Sequence, residues 1–365
     1  VHLTVHPFAI PVESSLKNTF ALMRGYLEKV YGKDKVTPQL RQAYGDFMLA
    51  HRLNPDDITS TDLPSIEDLE HYHPRGLNAF NVLNLVEPRK GEWNCFSPVS
   101  HYTPAFKQSL IEKLDPFVEE LKKRRLAGKA YVYSFDERGG EYNPVIREYF
   151  GMIKERYGLP TLTTAKIPLD PDTMRDLTVD WLCPLTPSYS FAEAERCRAA
   201  GKQVWSYVCL GPRYPYANFL ADDPLIEGRV ILWQAFQQKL DGFLYWGVNV
   251  WWHKNTEKPI DPAKLDWSIT TNGMPFLHGD GVLIYPLADG RPAGSIRLAN
   301  LRDGMEDYEY LRALGQARGD VWSARADCAP VTTSLTSFTR DPAVLMDARG
   351  RIAQELMKPH GSSEK

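Results

Sequence analysis

The sequence predicts a (β/α)8 TIM-like barrel with a C-terminal helical extension. Three observations carry that reading. Short apolar runs alternate with helical stretches through the first 255 residues, the pattern of a parallel sheet wrapped by helices. A chain of 365 residues with 43% apolar content can bury one large core. The aromatic and β-branched run Tyr131-Val132-Tyr133-Ser134-Phe135 ends abruptly in Asp136 and Glu137 and then a glycine pair, as a buried strand does when it delivers acids to a loop.

Taken in order, the first strand is expected over Leu3–Pro11, followed by helices over Phe20–Tyr31 and Pro38–Leu49 and a short second strand near His51–Leu53. Residues 54–76 are rich in Asp, Ser, Thr and Pro and read as loop. Phe80–Val86 supplies the third strand. Thr103 then caps a long helix with Pro104 in its first turn. Phe106, Leu110, Leu114, Phe117 and Leu121 give that helix its apolar stripe, and Pro116 is expected to kink it. The fourth strand is the run that ends at Asp136. Asn143-Pro144 opens a helix that faces Ile146, Phe150, Ile153 and Tyr157 inward and stops at Gly158.

Strands five and six are expected over Thr161–Pro168 and Val179–Pro184, after which Ser190 and Glu193 spell a capping box for a helix ended by Gly201. Val204–Val208 is the seventh strand. A helix beginning at Asp223-Pro224 leads to the eighth, Gly242–Trp251. Beyond it, Gly279–Pro286 reads as a turn and a strand, and Leu298, Leu301, Met305, Tyr308 and Leu311 recur at helical spacing. A last helix runs from Asp341 to about Met357. The expected division is a barrel over 1–255, an extension packed on it over 256–358, and a disordered tail over 359–365.

The formal charge of −3 and the lack of a Lys/Arg block argue against a nucleic-acid or anionic-membrane partner. No apolar run is long enough to cross a bilayer, and no basic, apolar, small-residue signal opens the chain. Because Val1 rather than Met stands first, secretion by way of a signal outside this sequence stays open. Five scattered cysteines, an odd number without zinc-site pairing, read as buried thiols. His71 and His73 lie in an expected loop without a third ligand, and His253 and His278 are isolated, so no metal and no cofactor is expected. A Gly-rich phosphate loop and a Gly-x-Ser-x-Gly elbow are both missing from the sequence.

In a (β/α)8 barrel the reactive groups gather where the strands end. On that map Asp136, Glu137, Trp205, Tyr207, Trp246 and Asn249 meet at one mouth. The plainer alternative gives Asp136 to a helix cap, Glu137 to solvent and the aromatic residues to core packing. Asp280 either reaches the same mouth or caps a turn, and Arg297, Arg302, Glu306 and Asp307 read as ion-pairing residues of one helix.

Gly-Phe-Leu-Tyr-Trp-Gly-Val-Asn-Val-Trp at 242–251, Gly-Asp-Gly-Val-Leu-Ile-Tyr-Pro at 279–286, and Ser-Ile-Arg-Leu followed by Leu-Arg-Asp-Gly-Met-Glu-Asp-Tyr-Glu-Tyr-Leu in 295–311 resemble glycoside hydrolase family 123, the β-N-acetylgalactosaminidase-like catalytic domain. The resemblance takes in nearly the whole chain and is weakest before Gly76. It does not include the β-sandwich that family members usually carry ahead of the barrel. It implies that the adjacent Asp-Glu at the end of the fourth strand, here Asp136 and Glu137, is the catalytic pair. Fold and reaction type transfer better than the choice of sugar.

Breaking a glycosidic bond needs an acid on the leaving oxygen and negative charge near the anomeric carbon. With a 2-acetamido sugar the substrate's own carbonyl oxygen can attack that carbon. Asp136 would then orient the acetamido N–H, and Glu137 would serve as acid and afterwards as base, giving retention. Trp205 and Trp246 are candidate walls for the sugar face, with Tyr207, Asn249 and Asp280 as candidate polar contacts. The expected partner is an oligosaccharide or glycoconjugate. Two alternatives remain at this point, a glycosidase of the same fold acting on another sugar and a non-catalytic carbohydrate-binding protein.

Overall fold

The computed structural model describes residues 5–87, 96–253, 257–264, 269, 274 and 277–358. The barrel strands are β1 (Lys17–Ala21), β2 (Pro55–Asp56), β3 (Phe80–Asn84), β4 (Ala130–Tyr133), β5 (Thr161–Thr163), β6 (Trp181–Leu182), β7 (Gln203–Val208) and β8 (Gly242–Tyr245). All are parallel, in the order β2-β1-β8-β7-β6-β5-β4-β3. The connections carry α1 (Arg24–Tyr31), α2 (Pro38–Ala50), α3 (Ile66–Tyr72), α4 (Pro104–Lys123), α5 (Asn143–Tyr157), α6 (Pro171–Asp176), α7 (Phe191–Ala199) and α8 (Glu227–Gln237). The C-terminal part adds α9 (Ile296–Ala317) and α10 (Pro342–Leu356). This is a (β/α)8 barrel with a C-terminal helical extension.

Between β2 and β3 side chains take over much of the work of a backbone ladder. Asp56 Oδ1 accepts the Asn81 N–H at 2.9 Å, and Asn81 Nδ2 donates to the Asp57 carbonyl at 3.3 Å. At the upper end the Asn84 N–H reaches the Ser60 carbonyl at 2.7 Å. Lower down, Asn54 Nδ2 donates to Asn78 Oδ1 at 2.6 Å, and Asn18 Oδ1 accepts the Asn54 N–H at 2.9 Å. Asn18, Asn54, Asn78 and Asn81 are all buried, so these paired amides satisfy groups that water cannot reach.

At that polar seam the first two strands depart from the places the sequence pattern predicts. The described part of the expected first strand, residues 5–11, forms no strand, and the real one contains Asn18 and Thr19, which look like loop residues but are buried. The second strand falls at Pro55–Asp56 instead of near His51–Leu53. Within the expected loop 54–76, Ser65 caps α3 by accepting the Asp68 N–H, and Arg41 bonds Asp68 at 2.7 Å. Strands five, six and eight are shorter than the sequence pattern suggests. Residues 1–4 and the expected tail 359–365 lie outside the described residues.

Below the mouth, the barrel interior is filled by aromatic rings. Trp181 and Trp205 stack at 5.4 Å between centroids, and Tyr131 lies 5.4 Å from Trp181. A Cβ on Gly242 would come within 2.2 Å of the Trp205 ring, so a glycine must open β8. Outside the barrel, α9 packs on α8, and Asp307 lies fully buried between them. It accepts bonds from Arg229 at 2.6 and 2.9 Å and from Trp233 at 2.9 Å, with the Arg349 guanidinium 2.8 Å away. Asp307 thus has the ion-pairing role expected of it.

Candidate active site

Side chains alternate along a strand, so two consecutive acids would ordinarily point to opposite faces. The turn after β4 prevents this. Phe135 and Glu137, on either side of Asp136, both adopt left-handed backbone with φ of 62° and 50°. For residues with a Cβ this costs roughly 1–2 kcal/mol each, and such strain concentrates at functional sites. Phe135 is held by the rings of Phe150 and Tyr102, 5.1 and 5.5 Å away. Arg138 fastens the turn from outside, donating to the Asp136 carbonyl at 2.7 Å while lying over the Phe96 ring.

Both acids therefore line one cavity of about 230 Å³ at the C-terminal end of the barrel, together with Tyr207, Trp246 and Asp280. Asp136 Oδ1 accepts bonds from the Tyr133 hydroxyl at 2.7 Å and the Thr164 hydroxyl at 2.9 Å. Burial pushes its carboxyl above the usual carboxylate range, the two hydroxyls oppose that shift, and the charge of Glu137 adds to it. The Tyr207 hydroxyl donates to Glu137 Oε1 at 2.5 Å. Burial and that carboxylate together push the Tyr207 phenol far up, so it stays a donor. Lys166 Nζ stands 3.8 Å from Glu137 Oε2 on the solvent side.

The opposite wall is Trp246, whose indole N–H donates to Asp280 Oδ1 at 2.9 Å. The Tyr245 hydroxyl reaches the same oxygen at 3.1 Å. Burial raises the Asp280 carboxyl to about 6 against the pull of these donors. Arg297 holds the turn that carries Asp280. It donates to the carbonyls of Phe219, Gly279 and Val282 at 2.7, 2.9 and 2.5 Å, a backbone clamp where an ion pair was expected. Gly281 has φ +70°, and a Cβ there would meet the Trp246 ring at 2.7 Å. Gly281→Ala is expected to displace Trp246 and raise KM about tenfold with a smaller change in kcat, in keeping with loss of a binding wall. Steady-state kinetics on the purified variant checks it.

Of the residues singled out in the sequence, the structure brings together Asp136, Glu137, Tyr207, Trp246 and Asp280. Trp205 is not among them. It faces inward one layer below Tyr207 on the same strand and is completely buried against Trp181. Asn249 is not a pocket residue either. Its side chain accepts the Met23 N–H at 2.8 Å and donates to the Met23 carbonyl at 3.0 Å, binding the end of β1 to the chain leaving β8. Sequence reasoning missed Ile58, Thr59, Asn84, Thr164 and Leu210, which also line the cavity. Only the position of Asn84 and Thr164 at strand ends could have signalled them. His71 pairs with Asp46 and His278 with Asp222, and no metal-binding cluster of three or more His, Cys, Asp or Glu occurs among the described residues.

With an acid pair at the end of β4 and an aromatic wall after β8, the comparison that decides the family concerns residues 68–314. They match the model for the glycoside hydrolase 123 catalytic domain, more than half of the chain. The chain belongs to glycoside hydrolase family 123. It therefore carries a glycosidase domain with a carbohydrate substrate. Among solved structures it is similar to a family 123 glycoside hydrolase from Clostridium perfringens, studied for glycolipid glycan hydrolysis. The TM-score is 0.64 at 14% identity, over 98% of this chain and 71% of that one, a likeness of fold. A protein from Silicibacter pomeroyi named for glycerophosphoryl diester phosphodiesterase activity aligns at a TM-score of 0.28 and 10% identity over 46% of each chain, too loosely to carry any argument. No curated protein matches the chain. Among the described residues, no helix of this family 123 domain is long and apolar enough to cross a membrane.

Proposed function

We propose that this family 123 domain removes a terminal β-linked N-acetylhexosamine, β-N-acetylgalactosamine in the first instance, with retention of configuration and with the substrate's acetamido group as nucleophile. One observation carries the proposal: the two neighbouring carboxylates enter one pocket in different hydrogen-bond settings. The Tyr133 and Thr164 hydroxyls both bond Asp136 at Oδ1, which leaves Oδ2 to accept the acetamido N–H. An anion there orients the carbonyl oxygen toward the anomeric carbon and stabilises the oxazolinium ion that forms. Glu137, with Oε1 fixed by Tyr207, is positioned to protonate the departing oxygen. It then takes a proton from the incoming water. Trp246 supplies a flat wall for the sugar face, and the cavity's modest size suits a single terminal unit.

A panel of nitrophenyl glycosides tests this reading. Hydrolysis is expected for the β-N-acetylgalactosaminide and not for the β-galactoside, because only the former contains the nucleophile. A protein that cleaves the plain galactoside equally well does not use substrate assistance. One that cleaves neither is a binding protein or acts on another sugar.

A further inference from the structure

We propose that Thr164 is a positioning residue for the reaction, its single hydroxyl tying the two carboxylates together and presenting Asp136 as the acceptor for the acetamido N–H. This rests on the role given to Asp136 above. Thr164 lies just past β5 and is 4% exposed. Its Oγ1 donates to Asp136 Oδ1 at 2.9 Å and accepts the backbone N–H of Glu137 at 3.2 Å. The same oxygen lies 2.9 Å from the Tyr133 hydroxyl, which donates to Asp136 Oδ1 at 2.7 Å.

The proton count makes this arrangement more than a packing contact. Three oxygens form a triangle with three edges, and the two hydroxyls bring two protons. When Asp136 is ionised both protons point at its oxygen, and the edge between the hydroxyls has none. A proton added to Asp136 fills that edge. The triangle thus holds the carboxyl group in either state, while two donors on one oxygen favour the anion. That is what an acceptor for the acetamido N–H needs. The bond to the Glu137 N–H fixes the strained turn, so the spacing between the two acids depends on the same hydroxyl.

The groups facing Asp136 come from several elements. Tyr133 belongs to β4, Glu137 and Arg138 to the turn, Thr164 to the end of β5, Cys183 to the end of β6 and Cys209 to the end of β7. Burial keeps both thiols protonated. The charge of Glu137 opposes that of Asp136 and Arg138 supports it. Against that fixed background, removing one hydroxyl donor must favour the neutral form of Asp136.

The test is Thr164→Val, which keeps the shape and removes the hydroxyl, beside Thr164→Ser, which restores it. On an aryl β-N-acetylgalactosaminide, Thr164→Val is expected to lose about 10- to 100-fold in kcat, the worth of one hydrogen bond to a charged group, with KM nearly unchanged. The acid limb of its kcat/KM profile should move to higher pH, and a thiazoline mimic of the oxazoline should bind more weakly by a similar factor. Thr164→Ser should recover all three. Tyr133→Phe removes the other donor to the same oxygen and should shift the acid limb the same way, which keeps the test open if the valine variant folds poorly. An inhibited wild type with an unmoved acid limb in both variants overturns the role of Thr164 alone. A wild type that ignores the thiazoline overturns the role of Asp136 and this proposal with it.

Discussion

Glu137→Gln is expected to lose about a thousandfold in turnover of a natural-type glycoside, within the range ascribed to general acid–base catalysis. The fold should survive, because the glutamine carbonyl can still accept the Tyr207 hydroxyl bond that Glu137 Oε1 accepts now. The loss should depend on the leaving group. A dinitrophenyl glycoside departs without protonation, so its first step should run near the wild-type rate. The second step should then lag for lack of a base. Azide needs no deprotonation to attack, and adding it should restore turnover and give a β-glycosyl azide. Pre-steady-state release of dinitrophenol, with and without azide, reads both steps. If both kinds of substrate are turned over at near wild-type rates, Glu137 is not the acid/base.

Asp136→Asn should behave in the opposite way toward the leaving group. The amide can keep its oxygen toward Tyr133 and Thr164, which places its NH2 at the position of Oδ2. On the proposed mechanism a donor would then meet the acetamido N–H, also a donor, and the oxazolinium ion would lose its counter-charge. We expect a loss of about 100- to 1,000-fold that a dinitrophenyl group does not rescue, since the defect lies in forming the ring. Thiazoline affinity should fall in parallel, as it does when an interaction belongs to the transition state. A 2-fluoro sugar should leave no adduct on the wild-type peptide containing Asp136. A covalent fluorosugar on that side chain, seen by mass spectrometry, would make Asp136 an enzyme nucleophile and remove the case for an acetamido substrate.

The elements that showed themselves in the sequence are those whose ends are marked by local chemistry. Thr103 and Pro104 start α4 as read, with the Thr103 hydroxyl accepting the Phe106 N–H. Gly158 ends α5 in left-handed conformation. The capping box of α7 is only half present, because Ser190 caps the Glu193 N–H while the Glu193 side chain turns to Arg196. Hidden elements were those in which tertiary contacts reverse the local signal. Asn18 looks solvated and is buried in a strand because the Asn54 amide across the seam receives it.

The site divides along the same line. An acid pair at a strand end is conspicuous in a sequence, whereas Thr164 has no signature beyond its position. Strand periodicity gives the face of the sheet and not the depth in the barrel, so Trp205 and Tyr207 looked equivalent. Their two-residue spacing puts both inside, one in the packed interior and one at the cavity.

The seam between β2 and β3 gives the barrel a preferred line of weakness. Widening the cylinder anywhere else means breaking a parallel ladder, whereas here much of what must yield is side-chain amides and one carboxylate, whose bonds can lengthen and re-form individually. Ile58, Thr59 and Asn84 border that line and also border the cavity. The flank of the cavity formed by Ile58, Thr59 and Asn84 is therefore the compliant one, and adaptation to a bulkier sugar substituent can proceed by loosening this hinge-like flank while the acids, anchored by β4, β5 and β7, keep their spacing.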